Sequence, residues 1–271
     1  MTPVLAFDIE TIPDTAGLRR LYGLPDSMSD AEVADLAFHR RRQSSGSDFL
    51  PLHLHRVAAI ACALRERNNF TVWSLGDPHE SEGVLLQRFF DGVEKYTPQL
   101  VSWNGGGFDL PVLHYRSLIH GVKAARYWDL GDDDREFKYN NYISRYHMRH
   151  LDLMDLLALY QPRASAPLDE MAQLLGFPGK LGMDGSMVWE AFKRGEIEAI
   201  RNYCETDAAN TYLIFLRFQR MRGVLDDQEY ERELDVVQNT LSRSSAPQWT
   251  EFLAAWGRSA KLDLEHSAAP R

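Results

Sequence analysis

The stretch "LAFDIET" at residues 5–11 constrains the fold of this chain more than any other, because it sets two carboxylates one residue apart inside an apolar run. Successive strand side chains point to opposite faces and advance about 3.3 Å per residue. A strand over residues 3–10 therefore puts Asp8 and Glu10 on one face and Phe7 and Ile9 on the other. Two unpaired carboxylates in a low-dielectric interior repel each other and lose hydration, a cost of several kcal/mol that positive charge must offset. Bound divalent cations answer that need. A half-exposed strand whose polar face meets water gives the same alternation, so both readings stand at this point.

Further along, residues 11–55 read as an insertion with turn signals at "PDTAG" and "GLPDSMSD" around a helix from Asp30 to Arg42. "RVAAIACALRE" (56–66) and "NFTVWSLG" (69–76) read as a strand pair turning at "RNN". A helix over 81–96, a short strand over 99–104 and a helix over 110–121 follow. Residues 129–149 are polar and aromatic and read as a loop with short elements, and from "LDLMDLLALY" onward the pattern is helical. Strands followed by alternating helix and strand predict an α/β fold, a mixed central sheet flanked by helices, with a helical C-terminal extension.

Size and composition fit that picture. With 271 residues, 44% of them hydrophobic and 25% charged, the chain has enough apolar material for one elaborated domain. No apolar run approaches the roughly 20 residues needed to cross a bilayer, and no basic segment leads into an apolar one at the N-terminus, so a cytoplasmic protein with no membrane contact is expected. Two cysteines, Cys62 and Cys204, are too few for a disulfide framework and read as buried small hydrophobes. The histidine pairs His53/His55 and His147/His150 lack further ligands at zinc-site spacing. A net charge of -9 argues against a large phosphate-tracking surface, yet leaves room for a small one. "HRRR" (39–42) reads as a solvated helix end, with "RHLD" (149–152) as another basic spot beside a single-strand path.

Further acids sit where ligands gather. In "VSWNGGGFDLPVL" a strand ends at Trp103 and a glycine loop leads to Asp109 at a helix start, the position at which open α/β sheets place their ligands. Asp109 also suits an N-cap, and the loop lacks the Gly-Lys-Ser/Thr of a P-loop. In "NYCETDAANTY", Tyr203 and Asp207 are four apart and share one helix face, an arrangement that an ordinary surface hydrogen bond also produces.

Taken together, "FDIET", "NGGGFD" and "YCETD" stand in the order and context of the three exonuclease motifs of the DEDD superfamily, tyrosine subtype. The chain resembles the exonuclease domain of family-B DNA polymerases. It is also similar, across "HLDLMDLL", "FPGKLGMDGSMVW" and "YCETDAANTYL", to a free-standing bacterial family of predicted 3'-5' exonucleases related to that domain. The resemblance covers roughly residues 3–220 and implies a ribonuclease-H-like fold with the carboxylates gathered at one sheet edge. Residues 1–222 are then the expected exonuclease domain, and the helical pattern over 223–271 reads as a C-terminal extension packed on it. Asp8, Glu10, Asp109 and Asp207 would ligate two divalent ions, Mg²⁺ or Mn²⁺, and Tyr203 would orient the attacking water.

Independent chemistry agrees. Mg²⁺ takes carboxylate oxygens, two such ions about 3.5 to 4 Å apart suit in-line attack on phosphorus, and tyrosine is a poor base near neutrality but a good hydrogen-bonding guide. Among substrate contacts, Asn104 and Gly105 to Gly107 bring backbone close to a terminal nucleotide, while Trp103 and Phe108 would stack or wedge a base where they do not simply pack in the core. Thr11 adjoins the first motif, and Lys180 would touch a phosphate where it is not merely solvated. Asp152 and Asp155 read either as outer supports of the metal site or as a helix start. The expected function is metal-dependent 3'-5' hydrolysis of a single-stranded nucleic-acid 3' end, DNA before RNA, with any proofreading role requiring a replication or repair partner. A phosphohydrolase of small nucleotides and a non-catalytic nucleic-acid-binding module are the alternatives.

Overall fold

The computed structural model describes residues 2–267. Strand β1 (Val4–Pro13) is the middle strand of a five-stranded sheet, flanked on one side by β2 (His55–Glu66) and β3 (Asn69–Ser74) and on the other by β4 (Gln99–Ser102) and β5 (His150–Asp152), in the order β3-β2-β1-β4-β5. β2 and β3 form an antiparallel meander with β1, while β4 and β5 run parallel to it, so the sheet is mixed.

The alternation in "LAFDIET" holds. Leu5, Phe7 and Ile9 pack in one buried cluster with Leu85 and Phe89 of α3 (Glu82–Tyr96) and with Val112 and Leu113 of α4 (Asp109–His120), the helices on that face of the sheet. Ala6 and Ile12, on the Asp8/Glu10 face, join a second cluster built on the long helix α9 (Ile197–Met221). That cluster also takes Ala59, Ala61 and Ala63 of β2 with Ala208 and Ala209 of α9, small side chains that let helix and sheet approach closely. It continues through Tyr230, Val237 and Leu241 of α10 (Asp227–Ser242) and Trp249, Phe252 and Trp256 of α11 (Pro247–Ser267).

The insertion has more structure than its turn signals suggest. α1 (Thr15–Tyr22) starts where Asp14 accepts the Gly17 N–H at 3.0 Å, so the "PDTAG" turn residues are a helix cap. At eight residues the helix is too short for its periodicity to stand out. α2 (Asp30–Ser45) opens on a Ser29/Glu32 capping box. Leu18, Val33, Ala37, Leu50 and Leu54 give the insertion its own small core. Its "HRRR" end is largely exposed, with Arg42 paired to Asp48.

A buried ionic knot ties the insertion to the core. Arg116 of α4 donates to Asp14 at 2.5 Å and to both oxygens of Glu82 at 2.8 and 2.6 Å, and Glu82 also accepts the Val57 N–H at 2.7 Å.

Beyond α4, residues 122–149 carry α5 (Ala125–Trp128) and fold around buried Tyr127, Phe137 and Tyr142, with the Asp129 carboxylate accepting the N–H groups of Gly131, Asp132 and Asp134. The sequence pattern predicts a helix from "LDLMD", whereas His150–Asp152 form β5 and the helix begins at Leu153. The three residues of β5 pair with β4 at the sheet margin, too few to show a period, and they place His150 and Leu151 in the interior rather than on a basic surface. α6 (Leu153–Leu157), α7 (Leu168–Leu174) and α8 (Val188–Lys193) lead to α9. Among the described residues, no helix is long and apolar enough to cross a membrane.

Candidate active site

The site lies where the sheet opens. β4 pairs with β1 only from Val4 to Ala6, and the chain leaves the sheet after Ser102, so the stretch around Ile9 has no β4 partner. Asp109, at the first turn of α4, fills the gap by accepting the Ile9 N–H at 3.1 Å. The acids of β1 thus stand on the middle strand of the sheet, along the part of its margin that β4 abandons. On the opposite side, β2 carries an extra residue, Ala58, opposite Glu10 and Thr11, a bulge of the kind that re-aims side chains beside functional sites.

The loop from β4 to α4 is shaped for this turn. Asn104 adopts the left-handed region (φ 65°), and the Asp152 carboxylate accepts the N–H groups of Asn104 at 3.0 Å and Gly106 at 2.8 Å. Gly105 leaves no room for a side chain, since a Cβ there would meet Ser102 at 2.3 Å. Asp152 also caps α6 through the Asp155 N–H, so it is both the loop's anchor and a helix start.

Asp8, Glu10, Asp109, Tyr203 and Asp207 line one cleft of about 1110 Å³ together with Trp103, Asn104, Phe108 and Lys180. Trp103 lies along the wall with Nε1 donating to the Ala166 carbonyl at 2.9 Å, and Phe108 packs edge-on to His55, so each combines packing with cleft exposure. Thr11 is not in the cleft lining: its hydroxyl pairs with His55 Nδ1 at 2.9 Å. Lys180 sits with Nζ 5.5 Å from the centre of the Tyr203 ring. Its loop is held by Asp169, which accepts the Lys180 N–H at 2.7 Å, and by Asn210 of α9, which donates to the Gly179 carbonyl at 2.9 Å.

Burial dominates the electrostatics. Desolvation, then the charges of Asp109, Glu10 and Asp207, push the Asp8 carboxyl well above its ordinary value. Glu10 is raised in the same way, by burial and then by Asp207 and Asp109, with Lys180 opposing. Burial lifts Asp109 to about 7 against two backbone N–H groups that favour its ionised form, and lifts Asp207 to about 6 against Lys180 and the Tyr203 hydroxyl. Tyr203 is driven far upward by burial and then by Asp207, Glu10 and Asp8, so its hydroxyl keeps its proton and serves as a donor.

The donor set fits divalent cations. Asp8 feels the charges of Asp109, Glu10 and Asp207, Lys180 opposes them at Glu10 and Asp207, and Asp207 Oδ1 is buried without a hydrogen-bond partner, as an oxygen reserved for an ion would be. Ligand atoms of Asp8, Glu10 and Cys204 lie within 4.8 Å of one another. Cys204, read from sequence as a plain hydrophobe, donates its thiol to the Asp8 carbonyl at 3.3 Å and to Asp8 Oδ2 at 3.5 Å. Its place one residue after Tyr203 was the available signal, whereas Asp169 and Asn210 carried none.

Fold and cleft together define an α/β domain of the ribonuclease-H-like exonuclease class. The chain belongs to the family described as predicted 3'-5' exonuclease related to the exonuclease domain of PolB, whose model matches residues 47–256. That match takes in Asp109, Lys180, Tyr203 and Asp207, begins after β1, and reaches into α11, well past residue 220. The chain is 29% identical over 157 residues to the catalytic subunit of DNA polymerase epsilon from Saccharomyces cerevisiae, a match covering 55% of this chain and 6% of that protein. It is 26% identical over 136 residues to a DNA polymerase of Archaeoglobus fulgidus, covering 49% of this chain and 17% of that one. The chain thus spans only a small part of the length of these relatives.

Proposed function

We propose that the protein is a metal-dependent 3'-5' exonuclease that hydrolyses the terminal phosphodiester of single-stranded nucleic acid, DNA before RNA. The observation that carries this reading is that Asp8, Glu10, Asp109 and Asp207 line one cleft and act electrostatically on one another, with an unpartnered, buried Asp207 oxygen among them. Asp8, Glu10, Asp109 and Asp207 would hold two Mg²⁺ or Mn²⁺ ions, which when bound would activate a water and stabilise the leaving oxygen of an in-line displacement.

The chain's own groups do the rest. The Tyr203 O–H, kept protonated, donates to the attacking water and fixes its direction. Lys180 faces the substrate phosphate from the Tyr203 side, and the 104–107 loop, whose N–H groups at Asn104 and Gly106 are held by Asp152, lets its glycine backbone lie close to the terminal nucleotide. Partners beyond the nucleic acid would be supplied by replication or repair.

Incubation with Mg²⁺ or Mn²⁺ and 5'-labelled single-stranded DNA or RNA is expected to give a ladder that shortens one nucleotide at a time. Hydrolysis of nucleoside phosphates without a ladder would reassign the cleft to a small-nucleotide phosphohydrolase, and binding without hydrolysis would make it a recognition module. Tyr203→Phe is expected to lower kcat roughly 10- to 100-fold with KM little changed, the cost of one lost hydrogen bond to the reacting water. Because carboxylate ligands must be deprotonated, Mn²⁺ is expected to raise the unfolding temperature at about pH 7.5 and to do so far less at about pH 5. An equal rise at both pH values, or none, would remove the acids from the metal site.

A further inference from the structure

The cleft does not end at the acids. Its lining also takes in Ile143, Arg145, Met154 and Asp155, a part that differs in chemistry from the acidic centre. The Arg145 guanidinium lies over the Tyr160 ring, 4.6 Å from its centre, and Tyr146 meets the same ring edge-on with centroids 5.2 Å apart. Asp155 holds Arg145 in that place through an ion pair of 2.5 Å. Tyr146 is 73% exposed, a large aromatic surface open to a ligand.

The backbone beneath is unusual. Leu159 and Tyr160 both take left-handed conformations (φ 50° and 60°), although neither is glycine. Such backbone is strained for residues that carry a side chain and persists where surrounding structure enforces it, often at ligand sites. Here the Tyr160 N–H donates to the Asp155 carbonyl at 2.8 Å and its hydroxyl to the Arg145 carbonyl at 3.3 Å, so the two segments lock each other. Folding therefore spends strain to present a Tyr–Arg–Tyr surface that joins the cleft at Arg145, the member of the three that lines it.

We infer that Tyr146, Arg145 and Tyr160 form a base-stacking platform that holds the unpaired nucleotides upstream of the terminal one as the strand leaves the acidic centre. Arg145 is already neutralised by Asp155, so the platform acts through aromatic and guanidinium faces rather than through phosphate charge. Stacking of this kind accepts every base, which suits an enzyme that removes nucleotides in succession. It also answers the net charge of -9, since a strand held by its bases needs little basic surface. This inference rests on the exonuclease reading for the identity of the strand, and its test is arranged to be read separately.

Binding of a 5'-fluorescein single-stranded oligonucleotide of about twelve nucleotides is followed by anisotropy in Ca²⁺, so that no turnover is needed. Tyr146→Ala and Tyr146→Ala/Tyr160→Ala are expected to weaken Kd roughly 10-fold or more, while Tyr146→Phe/Tyr160→Phe restores near-wild-type binding. In Mn²⁺, the preference of kcat/KM for the long oligonucleotide over a dinucleotide is expected to fall by the same factor in the alanine variants. Because Tyr146 is exposed, its single substitution reads the platform without risk to folding. Unchanged Kd in Tyr146→Ala and in the double variant overturns the platform. Loss of binding in the phenylalanine pair equal to that in the alanine pair also overturns it, since stacking would then not be the cause. A wild type that binds the oligonucleotide but never shortens it ends the exonuclease reading and leaves the anisotropy result to decide the platform.

Discussion

Replacing Asp8 by asparagine is expected to abolish hydrolysis and, in metal-free protein, to stabilise the fold. Losing an ion's grip removes several kcal/mol of transition-state stabilisation, which at 1.36 kcal/mol per factor of ten is a fall on the order of 10³ or more in kcat. The stability effect runs the other way because Asp8 is desolvated and set against Glu10, Asp109 and Asp207. Its carboxyl is raised well above its ordinary 3.8, so the folded state holds a proton that the unfolded chain has released. Stability contributed by that group is greatest at low pH and falls as pH rises above about 4. Asp8→Asn is therefore expected to unfold at higher temperature than the wild type at about pH 7.5 in EDTA, with the difference vanishing near pH 4. Thermal melts at the two pH values, beside the nuclease assay, separate this outcome from misfolding. A variant that is inactive but less stable in EDTA would show that Asp8 is a structural acid.

The second large effect is expected at the buried ion network of α4. Arg116→Ala leaves Asp14 and Glu82 buried without their guanidinium, and breaking a buried ion network on one side costs about 3 to 5 kcal/mol. For a chain of this size the unfolding temperature is expected to drop on the order of 10 °C. Arg116→Lys should recover only part of the loss, because an ammonium cannot present the paired donors that both Glu82 oxygens receive. Since Arg116 lies on α4, whose first residue is Asp109, weaker Mn²⁺ binding is expected alongside. Calorimetry of the three proteins checks the order, and an unchanged melt in Arg116→Ala would mean that water replaces the guanidinium.

Much of the site was legible because its chemistry lies in short local patterns. Alternation in β1 sets the facing of Asp8 and Glu10, and helical spacing puts Tyr203 and Asp207 on one side of α9, both of which the structure repeats. Elements and contacts invisible in the sequence are short or join distant residues. β5 has three residues and α1 eight, too few for a period to rise above local composition. The ladder bond from Ile9 to Asp109 joins residues 100 apart, and no sequence window contains both. Thr11 adjoins the first motif in sequence, yet its hydroxyl is taken up by His55 from the start of β2.

By itself the sequence determined which faces are apolar, which acids are available and the order in which they arrive, because these depend on covalent spacing and backbone period alone. Tertiary structure decided that β4 stops short of Ile9 and leaves a gap for Asp109, that the Cys204 thiol turns to Asp8, and that Tyr146 and Tyr160 gather around Arg145, which lines the cleft. Each of these depends on where two remote segments come to rest against each other, and that is set by the packing of the whole core.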